Sequence, residues 1–101
     1  MLQNNFTQKI YNLARKIPKG KVTTYKILAE KTGSKAYRAV GSAMHNNPYW
    51  PKVPCHRVVN SNGSLGGFAS GTKRKITLLK KEGIEVKKGK IVDFKKKLFR
   101  F

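Results

Sequence analysis

Residues 23–45 read TTYKILAEKTGSKAYRAVGSAMH and break into two short helical runs around a glycine turn. The first runs from Tyr25 through Ile27, Leu28 and Ala29 to Lys31, with Thr23 or Thr24 placed to cap its leading amides. Gly33 makes the turn, and Ser34 caps a second run through Ala36, Ala39, Val40 and Ala43 to about His45. Two short helices joined by a glycine-containing turn are the pattern of a helix-turn-helix, whose second helix enters a nucleic-acid groove. Here that helix carries small residues at Ala36, Ala39, Gly41, Ser42 and Ala43, with Arg38 projecting among them. Small residues permit close approach either to a DNA backbone or to another helix. The segment alone is evenly poised between those two uses.

Upstream, Phe6, Ile10, Leu13 and Ile17 step by four, three and four, which gives one apolar face of a first helix. Pro18 and Gly20 end it. Downstream, residues 46–71 are rich in Asn, Pro, Ser and Gly, the chemistry of loops. Lys73 to Glu82 reads as a last helix, with Ile76 and Leu79 inward and Gly83 as its C-terminal cap. IEVKKGKIVDF then predicts a short hairpin around Lys88-Gly89, and the tail KKKLFRF is basic and aromatic. No internal repeat or low-complexity linker interrupts the chain. The fold expected is mostly α, a winged-helix-like helix-turn-helix domain with a loop-borne site and a short C-terminal β-hairpin, in a single domain spanning residues 1–101.

A chain of 101 residues with 39% hydrophobic content supports one modest core. No apolar run approaches the roughly 20 residues of a membrane span. The first twenty residues lack the apolar stretch of a secretory signal, and a single cysteine suits a reducing compartment, so a cytoplasmic location is expected. The charge is the dominant compositional fact: 23 Lys and Arg against 4 acidic residues give +19. A polyanion relieves the mutual repulsion of such a surface and releases its own counterions. The basic residues are spread along the chain rather than gathered on one amphipathic helix, which favours nucleic acid over membrane. A heat-adapted surface would raise Glu together with Lys, and Glu is scarce here.

The loop region holds Pro-Cys-His-Arg-Val at residues 54–58, where the sole cysteine stands beside one of two histidines. A lone Cys forms no internal disulfide and no cysteine-rich zinc site. It is either a small buried hydrophobe or a reactive thiol that a neighbouring imidazole helps to ionise. Adjacency on a strand would point the two side chains apart. Glu82 is a second signal. It ends the last helix, where the helix dipole disfavours negative charge by ~0.3–1 kcal/mol. Its helical neighbours are Leu78, Leu79, Glu85 and Val86, so helix geometry gives it no cationic partner. Either it is an ordinary exposed carboxylate, or it takes a partner from elsewhere in the fold and orients an imidazole. In the latter case nucleophile, base and acid are Cys55, His56 and Glu82. His45 reads as the exposed end of the third helix.

Four segments, GKVTTYKILA, YRAVGSAMHNNP, VPCHRVV and GGFASGTKRKITLLKKEG, occur in the order and spacing of one family. Over residues 6–83 the chain resembles the DNA-binding, active-site domain of the O6-alkylguanine-DNA alkyltransferases. The resemblance implies a methylated-DNA–[protein]-cysteine S-methyltransferase that acts once, as a monomer, on double-stranded DNA, with no metal or organic cofactor. It implies that Cys55 accepts the alkyl group and that His56, working through a water, and Glu82 activate it. It makes Asn47 the hinge after the recognition helix and Tyr25 a residue near the target phosphate that assists the leaving guanine. Arg38 becomes the finger that fills the gap left by an everted base. Ser34, Lys35, Ala36, Ala39 and Ser42 join it on the DNA face. Val58 and the loop Gly66, Gly67, Phe68, Ala69 and Ser70 become the walls of the guanine pocket, while Arg57 ties the site to its surroundings.

The chain departs from the family in two ways. The usual N-terminal domain is absent from residues 1–101, and Phe68 stands where some members have Tyr. The related alkyltransferase-like proteins lack the acceptor cysteine, which this chain has. The implied chemistry is physically coherent. A guanine O6 inside a duplex is stacked and paired, so the nucleotide must be rotated out to be reached. Two other classes compete with the repair reading: a non-catalytic lesion sensor, and a small basic helix-turn-helix regulator or RNA-binding protein.

Overall fold

The computed structural model describes residues 5–33, 35, 37–46, 49, 52–65 and 72–101, with only the backbone described at 5 and 72. In order, its elements are α1 (Asn5–Ala14), β1 (Thr23–Thr24), α2 (Tyr25–Lys31), α3 (Tyr37–His45), a 3-10 turn (Cys55–Arg57), β2 (Val58–Val59), α4 (Thr72–Lys81), β3 (Val86–Lys87), β4 (Lys90–Ile91) and α5 (Phe94–Lys97).

α1 buries Ile10, Tyr11 and Ala14. It stops short of Ile17, because the amides of Lys16 and Ile17 tighten onto Leu13 and Ala14 at 2.9 and 3.1 Å and Pro18 then disfavours helix at Ile17. Ile17 is nevertheless buried. The Thr24 hydroxyl caps α2 by accepting from the Ile27 amide at 3.0 Å. At its other end the Thr32 hydroxyl returns to the Ala29 carbonyl at 2.7 Å, and Gly33 turns the chain with φ +76°. α3 buries Val40, Ala43 and Met44 and exposes Arg38, Ala39, Ser42 and His45. Core packing and an open small-residue face are therefore opposite sides of one helix. Tyr11 fastens α1 to α3 by donating to the Ala43 carbonyl at 2.9 Å.

The loop reading of residues 46–71 needs correction in its centre. Cys55–Arg57 forms a 3-10 turn, and Val58 and Val59 pair in parallel with Thr23 and Thr24. Strands of two residues carry no alternating period, and the partner lies far away in sequence, so no local pattern announces the pair. Its position matters. β1 leads directly into α2, while β2 follows the turn that carries Cys55, so the pairing fixes the cysteine relative to the helix-turn-helix.

The hairpin forms as expected, with Val86 opposite Ile91 and Lys87 opposite Lys90. Lys88 and Gly89 take φ of 52° and 77°, the two left-handed positions of a tight hairpin turn. α4 is not the last helix, since α5 follows the hairpin. The tail also pairs with the strand layer: Val22 bridges Leu98, the Val22 amide donates to Lys97 at 2.9 Å, and Phe99 donates back to Val22 at 2.7 Å. One core gathers α1, α2 and α3 around Ile10, Leu28 and Val40; a second gathers Val22, Val59, Leu65, Leu79, Ile84 and Ile91. β1 and β2 run between them. Among the described residues no helix is long and apolar enough to cross a membrane.

Candidate active site

The 3-10 turn advances about 120° per residue, so Cys55, His56 and Arg57 diverge in three directions instead of alternating between two faces. Cys55 is 6% exposed and sits in the α1–α3 core beside Val53 and Val58. Its amide donates to the Val53 carbonyl at 2.9 Å, and the Arg57 amide donates to Pro54 at 2.9 Å, which locks the turn.

His56 is buried, with its Nε2 3.0 Å from Glu82 Oε2. Burial lowers its pKa; Glu82 opposes that shift, while the charges of Arg57 and Lys75 add to it. The imidazole is therefore neutral near pH 7. A carboxylate at Nε2 selects the tautomer that carries its proton there, which leaves Nδ1 as the acceptor.

Glu82 lies one residue beyond α4, where the helix ends in a turn onto Leu79. Its partners come from across the fold, the second of the two readings that the sequence left open. Arg57 Nε donates to Oε1 at 2.9 Å and Nη2 to Oε2 at 2.6 Å. Burial pushes the Glu82 pKa up, but hydrogen bonds from Arg57 and His56 outweigh it and hold the carboxyl below its ordinary range. Arg57 Nη1 also donates to the Ile17 carbonyl at 2.8 Å. One guanidinium thus joins the end of the α1 segment, the cysteine turn and the end of α4.

Sequence reasoning missed Lys75. In α4 it is 0% exposed, the largest of the fully buried side chains among the described residues. Its Nζ donates to the carbonyls of Val58 at 2.7 Å and Leu65 at 2.6 Å, and lies 6.0 Å from the centre of the Tyr25 ring. Burial pulls its pKa down to about 8, and a Cys55 thiolate acts in the opposite direction. Cation and thiolate therefore favour one another's charged forms. The available signal was Lys75 standing one residue before Ile76 and four before Leu79, on the inward side of an otherwise polar helix.

Tyr25, half-buried at the start of α2, has its pKa pushed up to about 12 by burial first and by the Cys55 charge second. It remains a phenol, able to donate. It lines a cleft of about 450 Å³ with Lys26, Tyr37, Arg38, Gly41, His45, Asn60 and Ser61. Arg38 is exposed there, and so are Lys35, Ala39 and Ser42 on the same helix-turn-helix. The side chain of Val58 is buried in the core, and it is its carbonyl that meets Lys75. Ser34, Ala36, Asn47, Gly66, Gly67, Phe68, Ala69 and Ser70 lie outside the described residues. Among the described residues no group of three or more His, Cys, Asp or Glu side chains is placed to hold a metal ion.

The segment that carries the Cys-His turn, Glu82 and the Arg38 cleft falls within the match to one family. The 6-O-methylguanine DNA methyltransferase DNA-binding domain matches residues 5–84. The chain belongs to this family. A methylated-DNA–protein-cysteine methyltransferase of Sulfolobus acidocaldarius is 45% identical over 83 residues, covering 82% of this chain and 52% of the relative. One of Methanosarcina acetivorans is 47% identical over 79 residues, covering 77% and 51%. The chain thus spans about half the length of the curated relatives it matches. Among solved structures, Mycobacterium tuberculosis OGT in complex with DNA superposes with a TM-score of 0.76 at 38% identity, covering 80% of this chain and 51% of that one. S. pombe Atl1 in complex with damaged DNA containing O6-carboxymethylguanine gives a TM-score of 0.86 at 30% identity, covering 100% of both chains.

Proposed function

We propose that this chain reverses DNA damage directly, taking an alkyl group from O6 of guanine in duplex DNA onto Cys55. The observation that carries the reading is the His56–Glu82 hydrogen bond at 3.0 Å beside the only thiol of the chain. The names of the family's curated members support it.

In this reaction the Cys55 sulfur attacks the alkyl carbon. The S–C bond forms as the C–O6 bond breaks, and the electron pair stays on guanine. The thiol proton passes through a water toward His56 Nδ1, and Glu82 stabilises the resulting imidazolium. Tyr25, still protonated, donates to the leaving guanine, which gathers negative charge. Lys75 supports the thiolate from inside the fold. The thioether product is stable, so each molecule acts once. Arg38 fills the stack behind the everted base, while surface cations hold the phosphates. Asn47 serves as hinge and residues 66–70 as pocket wall. The chain works as a monomer in the cytoplasm, with residues 1–101 forming a DNA-binding and catalytic domain.

A second reading is lesion binding without transfer; the superposition over the whole of both chains on Atl1, solved in complex with damaged DNA, supports its binding half. Intact-protein mass spectrometry after mixing with duplex DNA containing O6-methylguanine separates the two. Transfer predicts a gain of one methyl per chain, located on Cys55 and absent from Cys55→Ala, which still binds DNA. An unshifted mass with tight binding to the lesion would assign the chain to the sensor class.

A further inference from the structure

The hairpin, α5 and the tail lie beyond residues 5–84, the part matched by the family profile. Residues 85–101 hold seven Lys or Arg against two acidic residues. This segment is anchored. Besides the Val22–Leu98 bridge, the Thr23 hydroxyl donates to the Phe99 carbonyl at 3.0 Å and Lys21 Nζ to the Lys96 carbonyl at 2.8 Å. On its other side the Phe94 ring covers Gly63, where an added Cβ would meet Phe94 Cγ at 3.1 Å. Gly63 also has φ +85°, so a side chain there is disfavoured twice. α5 is thereby held against the turn at residues 60–63.

This packing opens a second cleft of about 430 Å³ between α2 and the C-terminal segment. Its polar lining includes Lys26, Glu30, Ser61, Asn62, Lys95 and Arg100. Lys26 and Ser61 also line the Arg38 cleft, so the two clefts meet along that edge. Among the described residues Lys26, Lys95 and Arg100 make no ion pair, and Glu30 is the only carboxylate in the lining.

We propose that the second cleft is a phosphate-binding extension of the DNA surface. The sugar-phosphate backbone of the duplex held at α3 crosses the Lys26–Ser61 edge and reaches Lys95 and Arg100. The inference rests on the DNA-repair reading above. Three cations against one carboxylate suit a polyanion, and the serine and asparagine supply neutral hydrogen-bonding groups for phosphate oxygens. The anchored backbone means that little ordering entropy is lost on contact.

The test is binding of the full chain and of Lys95→Ser/Arg100→Ser to an undamaged duplex of about two helical turns, by anisotropy across a salt series. Two lost phosphate contacts should reduce the slope of log K against log salt by about 1.8, at roughly 0.9 each. Affinity at low salt should fall about tenfold, at an unchanged thermal midpoint, and Lys95→Arg/Arg100→Lys should restore both. An unchanged slope in the double serine variant, alongside a clear loss in Arg38→Ala, overturns the extension and leaves the repair reading intact. If the unaltered chain shows no salt-dependent DNA binding, both fall.

Discussion

Arg57 grips Glu82 through two guanidinium nitrogens, at 2.9 and 2.6 Å, while His56 holds the same carboxylate at 3.0 Å. In the proposed reaction Glu82 would therefore have two separable duties. Glu82→Gln removes the charge that faces both partners. It should slow alkyl transfer about a hundredfold, the lower end of what a positioned acid–base group contributes. It should also cost about 3 kcal/mol in urea unfolding, the low end for breaking a buried ion pair, since a largely buried guanidinium is left uncompensated. Arg57→Lys loses the fork geometry and the Ile17 contact but leaves His56 beside Glu82. Its loss should fall mainly on stability. Equal rate losses in the two variants would show that Glu82 acts only through the fold.

Acid sensitivity follows from the same cluster. Burial holds His56 below its ordinary pKa of 6.5, so the unfolded chain takes up that proton first. Glu82 is held below its ordinary 4.5, so its contribution is present above that value and lost as pH falls through its folded pKa. Both effects have the same sign. Urea midpoints should begin to fall near pH 6.5 and fall more steeply below about 4.5. His56→Gln should abolish only the first phase. Coincident profiles between pH 5 and 6.5 would remove His56 from the account.

Lys75 gives a prediction at the opposite end of the scale. Its folded pKa of about 8 lies below the ordinary 10.5, so the unfolded state holds more protons across that window and stability rises with pH there. Lys75→Met keeps the length but strands the Val58 and Leu65 carbonyls, at about 1–3 kcal/mol each. It should unfold earlier than wild type and show no rise between pH 8 and 10.5. Alkylation of Cys55 by free O6-benzylguanine at pH 7 should also slow, because the cation that supports the thiolate is gone. A variant with wild-type reactivity would confine Lys75 to holding β2 and the segment at Leu65 in place.

Arg38 is exposed on α3 in the cleft shared with Tyr25 and Gly41. Arg38→Lys keeps the charge but loses the plane that stacks and donates several hydrogen bonds. Repair of duplex O6-methylguanine should slow at least tenfold, while reaction with free O6-benzylguanine, which needs no eversion, stays at the wild-type rate. Equal duplex rates would reduce Arg38 to a charge near the backbone.

The sequence by itself determined the first four helices and pointed to the candidate reacting groups. The steps from Phe6 to Leu13, the Thr24 cap and Gly33 are local features, and their physics acts within one or two turns. The left-handed Lys88-Gly89 pair likewise announces its hairpin, and the Cys55-His56 pair and a Glu82 without helical partners are visible in the residue order. What only the tertiary structure decided depends on contacts between distant segments. β1 and β2 are too short to show a period, so their pairing, which fixes the cysteine turn relative to the start of α2, leaves no trace in the sequence. Glu82 left a distant partner and an exposed surface equally open, and nothing in the sequence said that Arg57 and His56 share it, because that contact spans the 3-10 turn and the end of α4. Lys75 reads as one more surface lysine in a chain with 23 Lys and Arg. Only the fold sets the Val58 and Leu65 carbonyls around its ammonium, and two buried acceptors are what make that burial tolerable.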